Sequence, residues 1–186
     1  MTVIDEPATD VRIRELGAPG DLGWVVMAHG ELYVSEFGWD TTFEALVARI
    51  VADYAGADDR AGSAAWIAEL NGARVGCVFV VPGDEPGVAK LRILLVDPRA
   101  RGRNVGSHLV TTALEFATAA GYARMRLWTN HPLVAARRIY LRHGFRLVEE
   151  APHHSFGVDL VGQTYERDLS DRPAPGGVSR STPGGS

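Results

Sequence analysis

The chain has 186 residues, 46% of them hydrophobic and 23% charged, with a formal net charge of −4. That length supports one domain with a sizeable core, and the mildly acidic balance argues against sequence-independent nucleic-acid binding, which needs a basic footprint. The lone cysteine, Cys77, excludes an internal disulfide and fits a reducing, cytoplasmic setting, while no secretory leader and no membrane-spanning apolar run is visible.

Residues 1–10 are polar and are expected to be flexible; residues 170–186, rich in Pro, Gly and Ser, are expected to be disordered. The domain is then residues 11–169. Its first element is a strand at Val11–Glu15, where apolar and charged residues alternate. Asp21 reads as the N-cap of a helix to Phe37, and Thr41-Thr42-Phe43-Glu44 as a capping box opening a second helix with Phe43, Leu46, Val47 and Ile50 on one stripe. Ala64–Leu70 and residues 74–81 form a hairpin around Asn71-Gly72, which supplies the positive φ angles of a tight turn. Residues 89–96 read as a buried strand stopped at Asp97-Pro98.

The second half alternates. Residues 105–120 are helical with Val105, Leu109, Thr112, Phe116 and Ala120 on one face and Gly121 as the stop. A strand at 124–129, a helix at 133–143 and strands at 145–149 and 163–168 follow, with a loop between the last two. The fold class is α/β (α+β): one domain, a mixed, mostly antiparallel sheet of about seven strands flanked by about four helices.

Two segments carry chemistry. Asp97 to Leu109 is a strand end, a short loop and a helix start. First-turn N–H groups lack internal partners and sit at the positive end of the helix dipole, so a pyrophosphate fits there if backbone can come close. Gly102 and Gly106 remove side chains, Asn104 tolerates positive φ, and Arg99, Arg101 and Arg103 add charged donors. A surface turn with solubilising arginines is the plainer account. The turn lacks the lysine followed by Ser/Thr of a P-loop, so it is not a nucleotide-phosphate site of that kind. The other segment, Ala135 to Phe145, places Ala136 one turn before Tyr140 on the same helical face.

The first segment resembles motif A of the GNAT N-acetyltransferase superfamily, with Asn104 standing where glycine is usual. The second resembles motif B, with its Tyr-x-x-x-Gly-Phe ending. The resemblance implies splayed central strands, residues 91–96 parting from 124–129, so that Leu94, Leu95 and Val96 can pair with the pantetheine arm of acetyl-CoA. It places the pyrophosphate on Arg101, Gly102, Arg103, Asn104, Val105, Gly106 and Ser107, gives Ala136 the role of leaving room for CoA, and makes Tyr140 the general acid for the departing thiolate. A phenol with an ordinary pKa near 10 suits that task. Tyr140 also fits a half-buried packing tyrosine. Leu133 stands where the superfamily often has asparagine, and Asn130 is a candidate for a similar CoA- or substrate-facing part.

An acceptor amine like that of lysine is neutral in roughly 1 of 2500 molecules at pH 7, so a base helps. Glu36 is the candidate, with Glu44, His153 and His154 as others near the acceptor cleft. Trp128, Trp39 and Phe156 are candidate pocket walls that also fit a core, and His154 lies in the loop expected beside them. Arg92, among Leu91, Ile93 and Leu94, must face a polar cleft or partner, and suits an acceptor carboxylate. His153-His154 does not read as a zinc site, since neighbours on an extended chain point oppositely; no metal is expected.

Residues 11–169 also resemble the acyltransferase half of bacterial proteins that join a MarR-type winged helix to a GNAT domain. The likeness lies in Ala89-Lys90-Leu91-Arg92, Leu127-Trp128-Thr129-Asn130, Pro152 to Gly157 and Gly162 to Glu166. The stretch before Val11 is too short for the winged helix, so the regulatory function of those relatives is not expected here. The implied activity is acetyl transfer from acetyl-CoA to a small-molecule amine, by a monomer or homodimer without membrane or nucleic-acid partners. A non-catalytic acyl-CoA sensor and a transferase acting on a protein amine are the alternatives.

Overall fold

The computed structural model describes residues 11–58 and 60–169; the expectations for residues 1–10 and 170–186 lie outside the described residues. The elements run β1 (Val11–Glu15), α1 (Asp21–Phe37), α2 (Thr41–Gly56), β2 (Ala64–Leu70), β3 (Ala73–Pro82), β4 (Val88–Val96), a short 3-10 turn (Pro98–Ala100), α3 (Val105–Ala119), β5 (Arg124–Asn130), α4 (Val134–Arg142), β6 (Arg146–Ser155) and β7 (Val158–Asp168). One seven-stranded sheet has the order β1-β2-β3-β4-β5-β7-β6. Every neighbouring pair is antiparallel except β4 and β5. The expected fold class, strand count and helix count agree with this.

Each sheet face carries its own core. On one, Val25 of α1 and Val47 and Val51 of α2 pack on Ile67, Cys77 and Phe79. On the other, Leu109, Ala113 and Ala117 of α3 and Tyr140 of α4 meet Val78, Val80, Leu91 and Leu127. Full burial of each such large apolar side chain contributes roughly 1.5–3 kcal/mol. The buried face of α3 differs from the expected stripe. It runs through Gly106, Leu109, Ala113 and Ala117, and Thr112 and Ala120 fall outside it. Small residues there let α3 lie close to the sheet.

Helix starts are set differently from the local sequence signals. Gly20 is the N-cap of α1. Asp21 is instead a buried anion that accepts from Arg14, Arg74 and the amides of Gly17 and Ala18, tying α1 to β1 and β3. Those donors hold its carboxyl well below the usual carboxylate range. At α2 the capping box does not form. Asp40 is the N-cap and accepts from Thr42, and the Glu44 carboxylate lies against Gly30, where a Cβ would meet it at 2.7 Å. A glycine on α1 thus lets the two helices approach.

The Asn71-Gly72 turn forms as expected, both residues at positive φ. The last two strands correct the expectation: β6 continues through Pro152, His153 and His154, and β7 begins at Val158. They join at Phe156-Gly157, both at positive φ. β6 is an edge strand, where proline is tolerated.

Candidate active site

The parallel pair at the centre of the sheet is short. β4 and β5 pair only from Val88↔Arg124 to Leu91↔Leu127. Beyond that point β4 continues along β3 to Val96, and β5 along β7 to Asn130. The strands part, so the β5-facing edge of β4 from Arg92 onward has no strand partner. The expected splay is present. A bulge sharpens it: Cys77 pairs with Leu95 and Phe79 with Arg92, so three residues of β4 span two of β3. Ile93 within the bulge has φ 43°, a conformation costing a β-branched residue about 1–3 kcal/mol. Such a bulge re-aims the backbone groups beside the cleft.

A groove of about 1110 Å³ opens on one side of the splay. Leu94, Leu95 and Val96 form one wall, and Arg101, Gly102, Asn104, Val105, Gly106 and Ser107 another. Asn104 is the N-cap of α3 at φ 62°, and Gly102 has φ 77° with open space where its Cβ would stand. The start of α3, whose first-turn amides have no partners within the helix, therefore borders the groove. Arg138 and Arg142 of α4 add positive charge, and Ala136 keeps the wall low. Gly106 has a further role: a Cβ there would stand 2.6 Å from Ile139 and 3.2 Å from Val96. Its absence seats α3 against α4 and β4. Ser107 is engaged too: its hydroxyl and that of Thr111 share His143 Nε2 at 3.3 and 3.2 Å, the Nδ1 being turned to the Ile139 carbonyl.

The three arginines of the turn differ. Arg99 is tied back to Asp97 at 2.9 and 2.8 Å. Arg103 is exposed and does not line the groove. Arg101 reaches across it to Glu36 of α1, 2.6 and 2.8 Å from the two carboxylate oxygens. Glu36 accordingly lines this groove, paired with a cation, and does not line the cavity on the other side of the splay.

On the other side of the splay is a cavity of about 410 Å³, walled by Tyr33, Trp39, Phe43, Leu46, Ile50, Arg92, Trp128, Asn130 and Tyr140. Tyr33, Leu94, Leu133 and Ala136 border both spaces and mark where they meet. Tyr140 is 5% exposed; its ring stands edge-on to Phe145 at 5.8 Å, and burial pushes its pKa up. The phenol stays protonated throughout the physiological range. Tyr33 is likewise held protonated by burial.

The remaining sequence candidates sort clearly. Asn130 is buried, lines this cavity and is held by His153, whose Nε2 donates to Asn130 Oδ1 at 2.9 Å while Ser155 donates to Nδ1. Trp128 is half exposed, spans Gly162 and lies 5.5 Å from the His153 ring. His154 is on the outer face, paired with Asp159 at 2.7 Å, and does not line the cavity. Phe156 also lies outside the lining; it backs Trp39 and Phe43 at 4.9 and 5.1 Å. The alternation of strand β6 turns His153 inward and His154 outward.

Several residues at the site were not singled out from the sequence: Tyr33, His29, Lys90, Arg126, Arg138 and Arg142. His29 and Tyr33 are four apart on α1, so a shared face was legible. His29 is buried, with Nδ1 donating to the Val25 carbonyl at 2.7 Å and Nε2 as the one buried side-chain polar atom without a partner among the described residues. Burial lowers its pKa to about 4.

Comparison with known proteins agrees with this architecture. The model of the acetyltransferase (GNAT) family matches residues 28–145. An uncharacterised N-acetyltransferase of Schizosaccharomyces pombe is 30% identical over 146 residues, covering 78% of this chain and 89% of that protein. N-acetylaspartate synthetase of Xenopus tropicalis is 36% identical over 93 residues, half of this chain but only 34% of the synthetase. Among solved structures, a GNAT-family acetyltransferase from Staphylococcus aureus superposes with a TM-score of 0.70 at 20% identity, covering 87% of this chain and all of that one. An acetyltransferase of Salmonella typhimurium, solved with its cofactor acetyl-CoA, gives 0.68 at 18% identity, covering 90% of this chain and 99% of that one. The chain belongs to the acetyltransferase (GNAT) family and is an acetyl-CoA-dependent N-acetyltransferase.

Proposed function

We propose that the chain moves the acetyl group of acetyl-CoA onto the primary amine of a small molecule by direct attack within a ternary complex. The observation that carries this is the junction at Tyr33, Leu94, Leu133 and Ala136, where a basic groove at a helix start meets a cavity lined in part by Tyr140. Acetyl-CoA supplies the acyl group as a thioester. The α3 first turn from Arg101 to Ser107, with Arg138 and Arg142, holds its phosphates, and the free edge of β4 at Leu94 to Val96 pairs with its amide-bearing arm. Those residues fit the group: Gly102 has open space where a Cβ would stand, and Gly102, Asn104, Val105, Gly106 and Ser107 all line the groove.

Tyr140 holds its proton at the junction and gives it to the sulfur as the carbon–sulfur bond breaks. The nitrogen of the neutral amine forms the new bond to the acyl carbon and releases one proton, which returns through solvent or a group of the cavity to the Tyr140 oxygen. The cavity orients the amine. Its size, about 410 Å³, suits a small molecule rather than a polypeptide. Glu36 takes the part of a gate on Arg101 in this scheme rather than that of the base.

The reading places the protein in the cytoplasm, supported by its lone, buried Cys77, as a monomer or twofold dimer. The segments from Ala89 to Arg92 and from Pro152 to Gly157 support kinship with the acyltransferase half of MarR-type fusions. The test is calorimetric titration with acetyl-CoA followed by thiol release against a broad amine panel. Saturable binding and amine-dependent release are expected. Absence of both at millimolar acetyl-CoA, above the usual KM range, sinks the proposal.

A further inference from the structure

The acceptor cavity has a charge of one sign. In the register of the sheet, Arg92 lies opposite Phe79, Lys90 opposite Val81, and Lys90 beside Arg126. Phe79 belongs to the core under α1 and α2, so all three cations stand on that face, and all three line the cavity. No aspartate or glutamate lines it among the described residues.

The three differ in what they already hold. Lys90 is 2.5 Å from Asp84. Arg126 is paired with Glu166 and, at 2.9 Å, with Glu85. Among the described residues Arg92 has neither a hydrogen bond nor an ion pair, although it is half-buried. Asp53 and Asp84 act on it only at a distance and are themselves exposed. A desolvated guanidinium without a partner is costly, and its planar fork matches a carboxylate bidentately.

We propose that the acceptor is a small amine that also bears a carboxylate, seated with the carboxylate on Arg92 and the amine toward Tyr140. This deepens the transfer reading above and rests on it. Polyamines, aminoglycosides and lysine side chains meet the guanidinium of Arg92 and no carboxylate in the lining of this cavity, and are expected to be poor substrates.

The test compares matched probes: glycine with glycinamide, β-alanine with its amide, aspartate, and spermidine, each rate referred to the free-base amine. Thiol release is followed for the wild-type protein and for Arg92→Gln and Arg92→Lys. The wild-type kcat/KM is expected to favour carboxylate over carboxamide by about ten- to hundredfold, the worth of hydrogen bonds to a charged group. Arg92→Gln is expected to lower that ratio by about tenfold or more, and Arg92→Lys to restore part of it. Equal or better use of carboxamides or spermidine overturns the proposal and leaves acetyl transfer standing, as does an unchanged ratio in Arg92→Gln. No release with any amine, anionic or neutral, removes both.

Discussion

Replacing Tyr140 by Phe separates chemistry from packing cleanly here, because the hydroxyl has no hydrogen-bond partner among the described residues. The ring packs edge-on to Phe145 at 5.8 Å and lies 6.4 Å from Tyr165, contacts that phenylalanine keeps. Ordinarily a tyrosine hydroxyl in a hydrogen bond contributes about 1 kcal/mol; with none to lose, stability should move by less than about 0.5 kcal/mol, a melting shift of no more than about 2 °C. If Tyr140 protonates the leaving thiolate, turnover should fall about 100- to 10,000-fold, or roughly 3–5 kcal/mol of barrier. The loss belongs in kcat, with acetyl-CoA affinity nearly constant, since the interaction matters in the transition state. Burial raises the phenol's pKa, so loss of its proton should produce no alkaline fall in the wild-type rate below pH 10. Turnover, melting temperature and a calorimetric titration on one preparation read all of this. Turnover within threefold of wild type, on an acceptor for which chemistry limits the rate, would refute the assignment and pass the acid role to Tyr33.

The other expectations are independent of one another. Glu36→Gln frees Arg101 from its carboxylate; acetyl-CoA should bind a few-fold more tightly and turnover should survive, whereas a collapse of turnover in a folded protein would make Glu36 the base after all. Gly106→Ala puts a methyl group 2.6 Å from Ile139 and 3.2 Å from Val96, so it should lower stability by about 1–3 kcal/mol as well as weaken cofactor binding; an unchanged melting temperature contradicts the packing role. His29 has its pKa lowered from 6.5 to about 4 by burial, so the unfolded chain takes up its proton first as pH drops. Its contribution is complete above about pH 6.5 and is lost on the way down to about 4, on the order of 3 kcal/mol in all. Denaturant melts of His29→Gln should show that part of the pH dependence removed, and an identical pH profile in the two proteins counts against a buried neutral imidazole.

What was legible in the sequence was mostly local. Asn71-Gly72 and the turn from Gly102 to Gly106 declare themselves because few residues adopt positive φ, and the structure has Asn71, Gly72, Gly102 and Asn104 there. The splay came from resemblance alone. Phe156-Gly157 was missed because phenylalanine is a poor occupant of a positive-φ site; it is held there by stacking on Trp39 and Phe43 and by its carbonyl accepting from the Asp40 amide. Pro152 hid the continuation of β6, since nothing local says that a strand lies at an edge. Nor can spacing show the pairing of Glu36 with Arg101, 65 positions apart, or that Asp21 gathers Arg14 and Arg74 from different strands. Arg92 was legible as an oddity. Its solitude was not, because that depends on where Asp84, Glu85 and Glu166 are spent.

The short parallel seam between β4 and β5 has a mechanical meaning. Four residue pairs join the β1–β4 half of the sheet to the β5–β7 half. A strand-like guest lodged in the wedge would add backbone pairs to that seam, so that its binding and the protection of the seam are linked. Amide exchange along β4 and β5 should then slow together when the guest is seated.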